Sequence, residues 1–123
     1  MRSLSRGERF RAASNLTVSP TYVPDLAHAT LDLLLDREAG IVHLVNAGQT
    51  TWADLARRAA TAAGLDGNLV VDAPAAEIWG PAARPPCSAL ASQRVWIMPS
   101  LQDAVTRWVR ECEVRLLDDP VAA

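Results

Sequence analysis

The chain has 123 residues, half of them apolar, and its 12 basic and 14 acidic residues leave a formal net charge of -2. That is the composition of a globular chain long enough for one modest domain and too short for a cofactor domain plus a substrate domain. Without a basic excess to neutralise phosphates, a role on nucleic acid is disfavoured.

Residues 1–17 show little periodicity. Arg2, Arg6, Arg9 and Arg11 alternate with single apolar residues such as Leu4 and Phe10, which predicts an irregular segment and offers no apolar run of the kind a signal peptide needs. From Tyr22 the pattern turns helical. Pro24 suits a first turn and Asp25 suits the positive end of a helix dipole. Leu26, Ala27, Thr30, Leu31, Leu34 and Leu35 recur at helical spacing, with Gly40 as a stop, which predicts a helix over 24–38. On this helix Asp32, Asp36 and Glu38 are expected on the solvated face. Asp32 and the charges after Leu35 also interrupt the leucine run, so no membrane span is expected.

The β-branched run Ile41 to Val45, between Gly40 and Gly48, predicts a short buried strand. Thr51-Trp52-Ala53-Asp54 resembles a capping box, and Leu55, Ala56, Ala59, Ala62 and Ala63 give the stripe of a helix that Gly64 ends. Leu69 to Val71 predicts a brief strand. Residues 72–86 then predict an irregular, proline- and alanine-rich loop containing Gly80. One helical turn is expected over 88–93. After Pro99-Ser100, the residues Leu101, Ala104, Val105, Trp108 and Val109 predict a last helix to about Leu116, followed by a frayed tail over 118–123. Cys87 and Cys112 have neither metal-ligand spacing nor the density of a disulfide scaffold, which predicts reduced thiols, no metal and a cytoplasmic location.

Four segments occur in an order that resembles the carboxy-terminal part of one enzyme family. They are Ser19-Pro20-Thr21-Tyr22-Val23-Pro24-Asp25-Leu26-Ala27; Ile41 to Gly48 followed by Thr51-Trp52-Ala53-Asp54-Leu55-Ala56; Arg84-Pro85-Pro86-Cys87-Ser88-Ala89-Leu90; and Met98-Pro99-Ser100-Leu101-Gln102-Asp103-Ala104. Together they resemble the dTDP-4-dehydrorhamnose reductases, sugar-nucleotide reductases of the extended short-chain dehydrogenase class. The third segment carries Cys87 where that family usually has asparagine, losing an amide that donates and accepts.

The resemblance implies an α/β fold: a small substrate-binding domain over 18–117, with short strands and about three main helices, lacking the Rossmann cofactor domain. It implies a dTDP-sugar as ligand, and NADPH as cofactor of the complete enzyme but not of this chain. No Gly-x-x-Gly-x-x-Gly loop is present to seat a pyrophosphate. The chain has no lysine and only one tyrosine, so the family's Tyr-x-x-x-Lys pair is absent and no catalytic residue is assigned. Three expectations remain open: half of a split enzyme completed by a separate cofactor domain, a binding or interaction module that pairs with another protein or with itself, and a gene fragment.

The residues expected to bind substrate are Arg84, Ser19, Thr21, Tyr22, Trp79 and Ser88. A guanidinium matches a diphosphate bidentately, and an aromatic face packs on thymine or a pyranose. Each also has a plainer explanation. Ser88 serves equally as a cap, Ser19 to Tyr22 as a rigid lead into a helix, and Arg84 as a solvated loop residue. Trp52 and Trp108, on helical patterns, are expected in the core, Trp96 is a further stacking candidate, and His28 and His43 are expected to be structural.

Overall fold

The computed structural model describes residues 1–94 and 97–118, with side chains described as far as residue 112. Two small sheets organise the chain. In the first, β1 (Phe10–Ala13) pairs in parallel with β4 (Val70–Ala73), in the register Phe10 to Val70 through Ala13 to Ala73. In the second, β2 (Thr17–Val18) lies between β3 (Thr50–Thr51), antiparallel to it, and β5 (Cys87–Ser88), parallel to it. Around them stand three longer helices, α2 (Val23–Leu35), α3 (Trp52–Ala62) and α5 (Leu101–Asp118), and two short ones, α1 (Arg2–Ser5) and α4 (Ala75–Trp79).

The core forms around α3 because that helix is narrow. Ala53 and Ala60 have no exposed surface and pack with Leu4, Ala12 and Val70 on the β1–β4 sheet, while Ala59 packs on Leu101, Val105 and Val109 of α5. Methyl side chains on two faces of one helix let a sheet and a second helix both approach its backbone. A third cluster, Ala13, Leu16 and Ala75, joins β1 to α4.

The ends of α3 follow the chemistry expected of them. The Asp54 amide donates to Thr51 Oγ1 at 3.1 Å, satisfying an orphan N–H of the first turn. At the other end Gly64 takes φ +66°, and the Leu65 amide returns to the Ala60 carbonyl at 2.9 Å. Arg57 joins Asp54 and Asp72, fastening α3 to β4.

Five expectations are corrected. Residues 1–17 are not irregular: they hold α1 and β1, and Leu4, Ala12 and Ala13 are core residues. Phe10–Ala13 is alanine-rich and carries no β-branched residue, so its strand arises from pairing with β4, some sixty positions later. Ile41 to Val45 is not assigned as a strand. Only Val45 of this run is buried, Ile41 faces solvent, and the nearest strand-like pairing among the described residues is a single bridge between Ala47 and Ser100.

The loop expected over 72–86 contains the end of β4 and all of α4, while 88–93 begins in β5 and forms no helix. Finally, α2 stops at Leu35 rather than Glu38. Arg37 adopts φ +56° and the Glu38 amide closes onto the Leu33 carbonyl at 2.9 Å, so the chain turns before Gly40 is reached. Trp96 and residues 119–123 lie outside the described residues.

Candidate functional site

Between α3, α4, α5 and the segment 20–24 lies an open cleft of about 860 Å³. Its floor is apolar: Leu55, Ala56 and Ala59 of α3, Leu101, Ala104 and Val105 of α5, and Phe10 and Ala12 of β1. The elements that build the core therefore also build the cleft, and the alanines that let α3 sit close also leave room above it. Trp52, Trp79 and Trp108 line the walls, each about two-fifths exposed. Trp52 and Trp79 meet edge to face, with centroids 6.1 Å apart and planes at 81°. Trp52 and Trp108, expected in the core, thus present ring surface to the cleft, because their helices bury alanine and valine instead.

Two of the cations near this cleft are neutralised. Arg11 is paired with Glu77. Arg107 donates through Nη1 and Nη2 to the two oxygens of Asp25, both at 2.7 Å, and through Nε to Asp103 at 2.7 Å. Arg84 differs: its guanidinium lies 5.4 Å from the centre of the Trp79 ring, donates to the Ala82 carbonyl at 3.2 Å, and has no carboxylate partner among the described residues. Its charge is available to an anion at the mouth of an apolar cleft.

The lip of the cleft at Pro20–Pro24 is held by a polar cluster at the start of α2. Asp25 is buried, and besides Arg107 it accepts from Asn46 Nδ2 at 2.7 Å. Asn46, fully buried, accepts from the Tyr22 amide at 2.8 Å and donates to the Pro99 carbonyl at 3.1 Å. Arg107 also stacks 4.9 Å from the centre of the Tyr22 ring. The Arg107 hydrogen bonds, helped by Asn46 and opposed by burial, hold the Asp25 carboxyl below its ordinary value, and the guanidinium is correspondingly raised. Tyr22 donates its hydroxyl to Glu111, and this bond, with some burial and the nearby negative charge, raises the phenol above its ordinary value. Tyr22 is a neutral donor at physiological pH.

Of the six residues singled out in the sequence, Thr21, Tyr22 and Trp79 line this cleft and Arg84 stands against Trp79. Ser19 and Ser88 are placed elsewhere. The Ser19 hydroxyl donates to the Leu90 carbonyl and accepts from the Leu90 amide, both at 3.1 Å, and the Ser88 hydroxyl donates to the Thr17 carbonyl at 3.4 Å. Both fasten the strand after Pro86 to β2. Asp25, Arg107, Asn46 and Glu111 were not legible as a group, because they come from α2, the segment before β3, and two successive turns of α5. Only the placement of an acid in the first turn of α2 gave a local signal, and that signal concerns the helix dipole.

Two small sheets and three longer helices around an aromatic cleft define a small α/β domain of the ligand-holding kind. Residues 1–113 match the family described as the RmlD substrate binding domain, and the chain belongs to that family. Among solved structures it is similar to the dTDP-4-dehydrorhamnose reductase of Bacillus anthracis str. Ames in complex with NADP, with TM-score 0.79 and 26% identity over 89% of this chain and 41% of that one. It shares its fold with the Clostridium acetobutylicum reductase, at TM-score 0.79 and 20% identity over 91% of this chain and 42% of the other. The same holds for the Yersinia enterocolitica reductase, at TM-score 0.76 and 18% identity over 89% and 40%. The chain spans about two-fifths of the length of these structures. No curated protein matches it.

The residues present do not fit a nicotinamide dinucleotide. β1 is followed by Ser14-Asn15 and β4 by Pro74, so neither strand of the β1–β4 pair leads through a glycine-rich turn into a helix, and the helix after β4 has only five residues. Among the described residues, no helix is long and apolar enough to cross a membrane.

Proposed function

We propose that the chain is the sugar-nucleotide-binding part of a dTDP-4-dehydrorhamnose reductase-like protein, and that the cleft between α3, α4 and α5 holds a dTDP-linked 4-keto-6-deoxy sugar. The observation that carries this reading is the Trp79–Arg84 pair at the mouth of the cleft. A thymine ring stacks on indole, and a diphosphate next to it takes the charge of Arg84, which no carboxylate among the described residues neutralises. Thr21 and Tyr22, on the lip, supply hydroxyl groups to the sugar.

In the complete enzyme a nicotinamide cofactor, held outside the residues of this chain, would supply the hydride for reduction of the 4-keto group. This chain holds and orients the sugar nucleotide for that step and excludes water from its apolar side. The chain has no lysine to accompany Tyr22, and Tyr22 is bonded to Glu111, so it does not act here as the general acid.

Titration with dTDP, followed by tryptophan fluorescence, tests the proposal. Wild type is expected to show saturable quenching. Arg84→Ala is expected to weaken binding by ten-fold or more, the range of one charge-assisted contact at about 1.5–3 kcal/mol. Equal affinity in both proteins contradicts it.

A further inference from the structure

Residues three apart on a helix are surface neighbours, and Trp108 and Glu111 share the face of α5 that Ala104 and Val105 turn toward the cleft. Among the described residues that line the cleft, two have charged side chains, Arg11 and Glu111. Arg11 is matched by Glu77, whereas Glu111 takes part in no ion pair among the described residues. Arg107, one turn back on α5, does not serve it, because its guanidinium is committed to Asp25 and Asp103. The α5 wall thus presents an open negative charge beside a half-buried indole. The hydrogen bonds point the same way. Tyr22 gives its one hydroxyl proton to Glu111, so what remains for a ligand is acceptor: lone pairs on the Tyr22 oxygen and on the carboxylate.

We infer that Tyr22, Trp108 and Glu111 form a subsite for an amino group on the sugar, with Glu111 as the residue that determines specificity. Amino sugars are preferred there over neutral sugars, and uronic acids are rejected. The inference rests on the sugar-nucleotide reading above and narrows its substrate class. An ammonium brings three donors and a positive charge, which the carboxylate and the face of Trp108 both attract. A hydroxyl brings one donor and no charge. A carboxylate brings no donor and meets a like charge, so the wall that selects one group also excludes the other. The same charges set the direction of the ligand. The diphosphate is drawn to Arg84 on Trp79 and repelled by Glu111, so the sugar and not the nucleotide meets α5.

The probes are a neutral, an acidic and an amino sugar on the same nucleotide: dTDP-glucose, dTDP-glucuronate and dTDP-glucosamine. Their binding to the full chain is measured by calorimetry for wild type, for Glu111→Gln, which keeps the shape and removes the charge, and for Arg84→Ala. Glu111→Ala, the better helix former, replaces a glutamine variant that does not fold. Wild type is expected to bind the amino sugar about five-fold or more tighter than the neutral one, and the acidic sugar weaker by about the same factor. Glu111→Gln is expected to bring the three within about two-fold of one another, and Arg84→Ala to weaken all three while keeping their order. The inference is overturned if wild type binds the three alike or prefers the acid, or if Glu111→Gln keeps the wild-type order. If wild type binds none of them, the sugar-nucleotide reading fails, and quenching of tryptophan fluorescence by caesium and iodide ions decides the cation subsite by itself. The subsite stands if Glu111→Gln lowers caesium quenching and raises iodide quenching, and is overturned if neither changes.

Discussion

Asp25 shows how one residue carries both a local and a long-range role. In the sequence it is an acid in the first turn of a helix, favourable wherever such a helix sits. In the structure it is buried, bonded twice to Arg107 and once to Asn46, and it fixes the lip that Tyr22 occupies. Its folded-state carboxyl is depressed, so the stability it contributes is fully present above the unfolded value of about 3.9 and is lost as pH falls through the lower folded value.

Replacing Asp25 with Asn leaves Arg107 facing a neutral group. Complete burial would make that loss about 3–5 kcal/mol, but the Arg107 side chain is 34% exposed, so about 2 kcal/mol at pH 7 is the expected cost. Thermal unfolding from pH 7 to pH 2 is expected to show the variant and wild type converging in acid; a difference independent of pH contradicts the account. None of this was visible from spacing, because Asp25 and Arg107 are 82 positions apart and no periodic pattern links them.

At the scale of elements, legibility followed locality. The helices α3 and α5 stood out because their apolar residues recur at helical spacing, and α3 carries its own start and stop signals in Thr51 and Gly64. β1 and β5 were not legible, since a four-residue and a two-residue strand are defined by partners far along the chain. Ile41 to Val45 failed the other way: β-branched composition favours a strand but does not supply a neighbour to complete it. The cleft was half legible. Trp79 and Arg84 were found through their motif and loop, whereas Trp52 and Trp108 were assigned to the core because helical spacing cannot tell a buried face from the wall of a cleft.

The end of α2 is also set by geometry rather than by residue preference. Arg37 holds a left-handed conformation that costs a side-chain-bearing residue about 1–2 kcal/mol and glycine almost nothing. Arg37→Gly is therefore expected to raise stability in denaturant unfolding by about 0.5–1 kcal/mol, once the extra freedom of glycine in the unfolded chain is subtracted. A loss of stability of that size would show that the Arg37 side chain contributes more than its backbone strain removes.

At the scale of the whole molecule, two surfaces remain open on a small core: the aromatic cleft, and the exposed leucines of α2, Leu31, Leu34 and Leu35, that lead away from its lip. The two meet at Tyr22, where the Asn46 bond and the Asp25–Arg107 pair hold them in fixed relation. The chain contains no lysine, and neither strand of the β1–β4 pair leads into a glycine-rich turn.

Isothermal titration calorimetry of the isolated chain against dTDP and, separately, against NADPH tests the assignment of the cleft to a sugar nucleotide most directly. The account predicts weak, saturable binding of dTDP that Arg84→Ala reduces, and no heat of binding with NADPH. Tight binding of NADPH to this chain alone, or no response to dTDP at millimolar concentration, would contradict it.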